Sequence, residues 1–164
     1  MKNTRYAVQF RRKREKKTDY KKRTKLLLSN KPRIIIRKTI KRIIVQVAER
    51  GENGDRIILT TDSNALKKHG WNQGLNICTA YLTGYMAGAK AKGKIKDAIA
   101  DLTGSPHKGG RIYAALKGAI DAGISIRHDE SVFPKDERLK GAHLKEGTAK
   151  GISDTISKIL QENK

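Results

Sequence analysis

Four aspartates, Asp62, Asp97, Asp101 and Asp121, are the residues best suited to chemistry on a phosphodiester. Carboxylates gathered at strand ends can hold two divalent cations that clamp the attacking and leaving oxygens of a displacement. That defines one reading, a metal-dependent nuclease. The same residues also have plainer uses. Asp62 suits a helix cap, and Asp121 suits a charge on a helix surface. The four histidines, His69, His107, His128 and His143, share no ligand spacing. Cys78 is the sole cysteine, which argues against a structural zinc site, excludes an internal disulfide and fits a reducing compartment. No Ser/His/Asp or Cys/His set declares itself.

Residues 104–111, Gly-Ser-Pro-His-Lys-Gly-Gly-Arg, follow a strand pattern and open a helix. Free N–H groups and the helix dipole attract anions at such a place. The loop lacks the Gly-x-x-x-x-Gly-Lys-Ser/Thr spacing, and no Gly-x-Gly-x-x-Gly appears, so a contact to an RNA phosphate fits better than a nucleotide site. No cofactor, metal or small-molecule substrate is expected.

Charge is the stronger signal. The 164 residues carry 37 Lys+Arg against 16 Asp+Glu, a net of +21. Residues 1–42 hold 18 of those cations against Glu15 and Asp19, a net of +16, and the remainder nets only +5. Such asymmetry describes a basic arm on a nearly ordinary body. The run Arg11-Arg12-Lys13-Arg14-Glu15-Lys16-Lys17 repels itself and cannot be buried unpaired. Tyr6, Phe10 and Tyr20 are spaced along it, able to stack on bases or to pack beneath a basic helix. Nucleic acid is the polyanion that suits this composition. No lipidation motif, transmembrane run or secretory signal accompanies it, so no membrane partner is expected.

The elements that must position these groups follow from periodicity. Residues 1–10 read as extended, and 11–28 as one helix that ends before Pro32. Residues 33–37, 42–48 and 56–61 are β-branched runs forming an antiparallel meander. Lys38-Thr39-Ile40-Lys41 makes a cationic hairpin tip, and Asn53-Gly54 makes the second turn. A short helix capped by Asp62 or Ser63 comes next. A longer helix has Thr79 as its expected N-cap and Leu82, Tyr85, Met86 and Ala89 on one face. Gly84 and Gly88 in it suggest close packing on a sheet. Residues 97–102, a helix from 112 to its Gly123 cap, and 124–126 form a βαβ unit. A last helix carries Ile152, Ile156, Ile159 and Leu160. Trp71 and the tyrosines of the helices read as core. The sum is an α/β chain, a mixed sheet with packed helices plus a basic N-terminal extension. The organisation expected is 1–30 as arm, 31–126 as body, and 127–164 as a C-terminal loop and helix.

These residues resemble a known family. Arg5-Tyr6-x-Val8, Arg11-Arg12-Lys13-Arg14-Glu15 and Thr18-Asp19-Tyr20 are similar to the start of the archaeal and eukaryotic form of ribosomal protein L eighteen. So are Lys31-Pro32-Arg33, Arg37-Lys38, Gly70-Trp71, Ala80-Tyr81-Leu82-Thr83-Gly84, Gly118-Ala119-Ile120-Asp121-Ala122-Gly123 and Arg138-x-x-Gly141-Ala142-His143, collinear from about Arg5 to Leu144. The composition looks archaeal. The resemblance implies a three-layer α/β body and a structural, non-enzymatic protein of the cytoplasmic large ribosomal subunit. Its implied partners are 5S rRNA, large-subunit rRNA and neighbouring proteins of the central protuberance. The RNA-binding residues so implied are Arg5, Tyr6, Arg11, Arg12, Arg14, Lys16, Tyr20, Lys21, Lys22 and Arg23 in the arm. In the body they are Arg33, Arg37, Lys38, Lys41 and Arg42, then Lys108 and Arg111. Two departures stand out: Ile40 at a tip where a polar residue is expected, and a short segment after His143. A nuclease on a related scaffold and a nonspecific nucleic-acid-binding protein remain the alternatives.

Overall fold

Isoleucine and valine fill the chain between Arg33 and Leu59, and their stiff χ1 favours strands over helices. A computed structural model describes residues 7–52, 54–104, 106–142, 144 and 148–162. Arg5, Tyr6, Asn53, Ser105 and His143 lie outside the described residues. The chain forms two compact units, Met1–Asn30 and Lys31–Lys164.

The first unit holds two helices rather than the single one expected over 11–28. α1 spans Arg11–Arg14 and α2 spans Tyr20–Leu28. Lys16 stands between them at φ 52°, and the N–H groups of Lys17 and Thr18 close back on the Arg12 carbonyl at 2.9 and 3.2 Å. The physical reason is charge. Six cations within seven residues disfavour a continuous helical face, whereas Asp19 restarts the helix as an N-cap, accepting from Lys22 N at 3.1 Å. The rings of Phe10 and Tyr20 meet at 5.4 Å between centroids.

In the second unit β1 (Arg33–Lys38), β2 (Ile43–Gly51) and β3 (Gly54–Asp62) form the antiparallel meander. A 3-10 helix, Ser63–His69, follows, capped by Asp62 as expected. Then come α3 (Ile77–Ala91), β4 (Asp97–Leu102), α4 (Arg111–Asp121) and β5 (Ser125–Ile126). A turn at Glu130–Val132 leads to α5 (Asp136–Leu139) and α6 (Thr148–Glu162). β4 runs parallel to β1 and to β5, giving a mixed five-stranded sheet in the order β3-β2-β1-β4-β5. Between Val47 and Ala48 the register slips, so Ile58 is an extra residue of edge strand β3.

Alternation decides which face is core. Ile34 and Ile36 of β1 join Ile43, Val45 and Val47 of β2, all fully buried, against Ala80, Ala87 and Ala91 of α3 and Ala115 and Ala119 of α4. A second core lies on the far side of α3, where Leu82, Met86 and Ala89 meet Leu66, Trp71, Ile152 and Ile159. Sheet, α3 with α4, and α6 therefore make three layers. Each fully buried Ile or Leu contributes about 1.5–3 kcal/mol of apolar transfer.

Two sequence expectations are corrected here. The N-cap of α3 is Asn76, whose Oδ1 accepts from Thr79 N at 2.7 Å, three residues before the position expected. Gly84 and Gly88 pack α3 on α4 rather than on the sheet. A Cβ on Gly84 would meet the backbone of Ala115, and one on Gly88 would meet Ala119 and Ala122.

Candidate nucleic-acid interface

The hairpin tip is built by Thr39. Its N–H and its Oγ1 each donate to the Arg42 carbonyl at 2.9 Å, and Arg42 N donates back to Oγ1 at 3.1 Å. This closure holds Ile40 and Lys41 at the apex. Arg37, Lys38 and Lys41 are exposed and have no acidic partner among the described residues. Arg42 is exposed too, with Nη1 3.0 Å from Asp62 Oδ2.

Parallel pairing of β1 with β4 brings that tip to the glycine loop. Ile36 is level with Leu102, and Thr103 N donates to the Ile36 carbonyl at 3.3 Å. Lys38, Thr103, His107 and Arg111 thereby line one cleft of about 320 Å³, closed at its end by Gly110 at the start of α4. The loop is held from below. Gly110 N donates to the His107 carbonyl at 3.0 Å and Gly109 N to that of Val132 at 2.9 Å. Arg111 Nη1 donates to the Leu75 carbonyl at 2.9 Å, which fixes the guanidinium while leaving its other N–H groups. Lys108 is exposed near Asp129, whose carboxyl is held below its ordinary range chiefly by the N–H of Ser131, with a smaller pull from Lys108. His107 belongs to the loop read from the sequence as a candidate RNA-phosphate contact, though it is not singled out there as an RNA-binding residue. Only the β1–β4 pairing makes it a neighbour of Lys38.

Arg33 is different. Its side chain is 2 % exposed, with Nη2 2.6 Å from Asp55 Oδ1 and Nη1 3.4 Å from Asp101 Oδ2. Inside this fold it neutralises two carboxylates, an arrangement that the run of neighbouring cations does not suggest. In the first unit, Arg11, Arg12, Arg14, Lys16, Lys21 and Lys22 are exposed, and Tyr20 and Arg23 are partly so. Arg11 lies 3.8 Å from Glu15, and Arg12 Nε donates to Thr18 Oγ1 at 2.9 Å. Those single contacts leave most of the guanidinium donors available.

The four aspartates do not converge. Asp62 pairs with Arg42, Asp97 with Lys31 at 2.5 Å, Asp101 with Arg33, and Asp121 with Lys117 at 3.4 Å. Each is held by a different cation, and among the described residues no group of three His, Cys, Asp or Glu is placed to hold a metal. The exposed cations of tip and loop suit phosphates, and among the described residues the four aspartates are each taken up by a cation rather than gathered at one place.

Comparison with known proteins decides the family. Residues 4–102 match the family described as "Ribosomal large subunit proteins 60S L5, and 50S L18". The chain belongs to that family. A "Large ribosomal subunit protein uL18" of Korarchaeum cryptofilum is 47% identical over 144 residues, covering 85% of this chain and 73% of the relative. The protein of the same description from Methanosphaera stadtmanae is 44% identical over 142 residues, covering 85% and 74%. That of Methanothermobacter thermautotrophicus is 43% identical over 145 residues, covering 87% and 76%. The similarity predicted from the motifs is thus the right one, with relatives that are archaeal. As a uL18-family member the chain is a ribosomal protein of the large subunit rather than an enzyme, and its place is the cytoplasmic ribosome.

Proposed function

We propose that this uL18-family chain binds 5S rRNA and anchors it in the central protuberance, with large-subunit rRNA and neighbouring ribosomal proteins as its other partners. The observation carrying this reading is Lys38 of the cationic tip lining one cleft with His107 and Arg111, while Arg37, Lys41 and Lys108 are exposed on the same tip and loop. Exposed like charges this close destabilise the free protein slightly and are stabilised by a polyanion. The described arm residues Arg11, Arg12, Arg14, Lys16, Lys21, Lys22 and Arg23 supply a second basic surface with Tyr20 beside them, and Arg5 and Tyr6, outside the described residues, are proposed as contacts from the family resemblance. Affinity then comes largely from counterions released as phosphates are neutralised. Preference for a folded RNA comes from shape, unpaired bases and stacking, because the deep groove of A-form RNA is closed to side chains.

The experiment is a 5S rRNA titration at several salt concentrations, with duplex DNA as competitor. Replacing Arg37, Lys38 and Lys41 by Ala, or Arg11, Arg12 and Arg14 by Ala, lowers the slope of log K against log salt by roughly 2–3 in each case. Equal affinity for duplex DNA and 5S rRNA would favour the nonspecific reading instead.

A further inference from the structure

Ile40 has the highest exposure of any large hydrophobic residue among the described residues, at 95 %. Its position does not require isoleucine. The turn is closed by Thr39 and Arg42, and Ile40 does not carry the positive φ that would restrict the choice. Asn, Asp, Gly and Ser are the usual residues of such turns, each for a local reason that Ile lacks. Nor does the side chain stabilise the fold, since it packs on nothing. Lys41 follows it directly and Lys38 stands two residues before it, both exposed and without an acidic partner among the described residues.

A ligand drawn to this tip by its cations is a polyanion. Phosphates held by Lys38 and Lys41 would leave Ile40 facing what lies between successive phosphates, a ribose and a base. Apolar side chains at such places insert against base steps, and RNA offers unstacked bases in its loops and bulges. We propose that Ile40 is a wedge that packs on an unstacked base of the bound rRNA, while Lys38 and Lys41 hold the flanking phosphates. This rests on the rRNA-binding reading above and adds to it an apolar contact that selects an RNA feature over bare charge.

The test uses the full chain with 5S rRNA, reading affinity against salt together with base-specific chemical probing of the RNA. Ile40→Asn suits the turn and should fold. It is expected to weaken binding about tenfold with the salt slope unchanged, and to expose one or two nucleotides that the parent protects. Ile40→Leu restores affinity to within about twofold. Lys41→Ala lowers the slope by about one instead. If Ile40→Asn binds and protects as the parent does, the wedge is wrong while rRNA binding stands. The wedge is equally overturned if that variant binds RNA normally but fails to enter large subunits, since Ile40 then meets a protein. If the parent itself does not bind 5S rRNA above its affinity for duplex DNA, both readings fall.

Discussion

Gly84 and Ala115 share a space that admits no side chain: a Cβ on Gly84 would stand 1.8 Å from the Ala115 carbonyl oxygen. The relation is reciprocated across the helix pair, where a Cβ on Gly118 would stand 2.1 Å from the Tyr81 carbonyl oxygen. Both obstacles are backbone, so neither can swing aside. Gly84→Ala is therefore expected to push α3 and α4 apart and destabilise the body by about 3 kcal/mol, the upper end of overpacking costs. Urea unfolding measures it, and an unchanged midpoint contradicts the close approach.

Arg33 predicts a stability effect without a binding effect. Arg33→Met removes the cation that Asp55 and Asp101 share. Because those carboxylates are 23 % and 26 % exposed, the expected loss is about 2 kcal/mol, below the ~3–5 kcal/mol of a fully buried pair. Adding Asp55→Asn and Asp101→Asn should recover much of it. The folded fraction of Arg33→Met should bind 5S rRNA as the parent does, and a large drop in affinity per folded molecule would return Arg33 to the RNA surface.

Trp71 reports on the second core. Its Nε1 donates to Thr79 Oγ1 at 2.8 Å, and that hydroxyl donates in turn to the Gly74 carbonyl at 2.8 Å. Thr79→Val leaves the buried indole N–H without its acceptor, at a cost of about 1–3 kcal/mol. Trp71 is the only tryptophan, so its emission follows the change directly. Blue-shifted emission in the parent and a lower unfolding midpoint in Thr79→Val are the expected results. Emission in the parent typical of a solvated indole would contradict the burial.

Tyr81 gives a pH dependence. Its phenol is raised above the ordinary value of 10.0, first by burial and then by Asp121, to which its hydroxyl donates at 3.0 Å. A raised folded value means that the folded chain keeps this proton after the unfolded chain has lost it. The stabilisation is complete below about pH 10 and declines as pH rises beyond it. Tyr81→Phe should flatten that part of the stability curve relative to the parent, and parallel curves for the two proteins would refute the assignment.

The meander, the βαβ unit and the cores are legible in the sequence because β-branched runs and helical stripes each bury one face. The break at Lys16 is not, since residue propensity favours helix throughout 11–28 and only summed repulsion with the Asp19 cap opposes it. The pairing of Arg33 is hidden for a related reason: its sequence neighbours are cationic, while its partners Asp55 and Asp101 lie 22 and 68 residues away. The glycine loop is identifiable as a candidate from its composition. Its meeting with Lys38 needs the parallel register of β1 and β4, which no local pattern encodes. Gly84 and Gly88 signal close contact correctly and leave the surface contacted to be settled by the fold.

Edge strand β3 also bears on the life of the chain before assembly. Its outer row of amides and carbonyls is a template on which a second copy could lengthen the sheet, and Ile57 is half exposed along it. The extra residue Ile58 skews that template, and the exposed Arg56 puts charge near its open end. Skew and charge both disfavour such lengthening, so straightening the skew by deleting Ile58 should trade solubility for self-association.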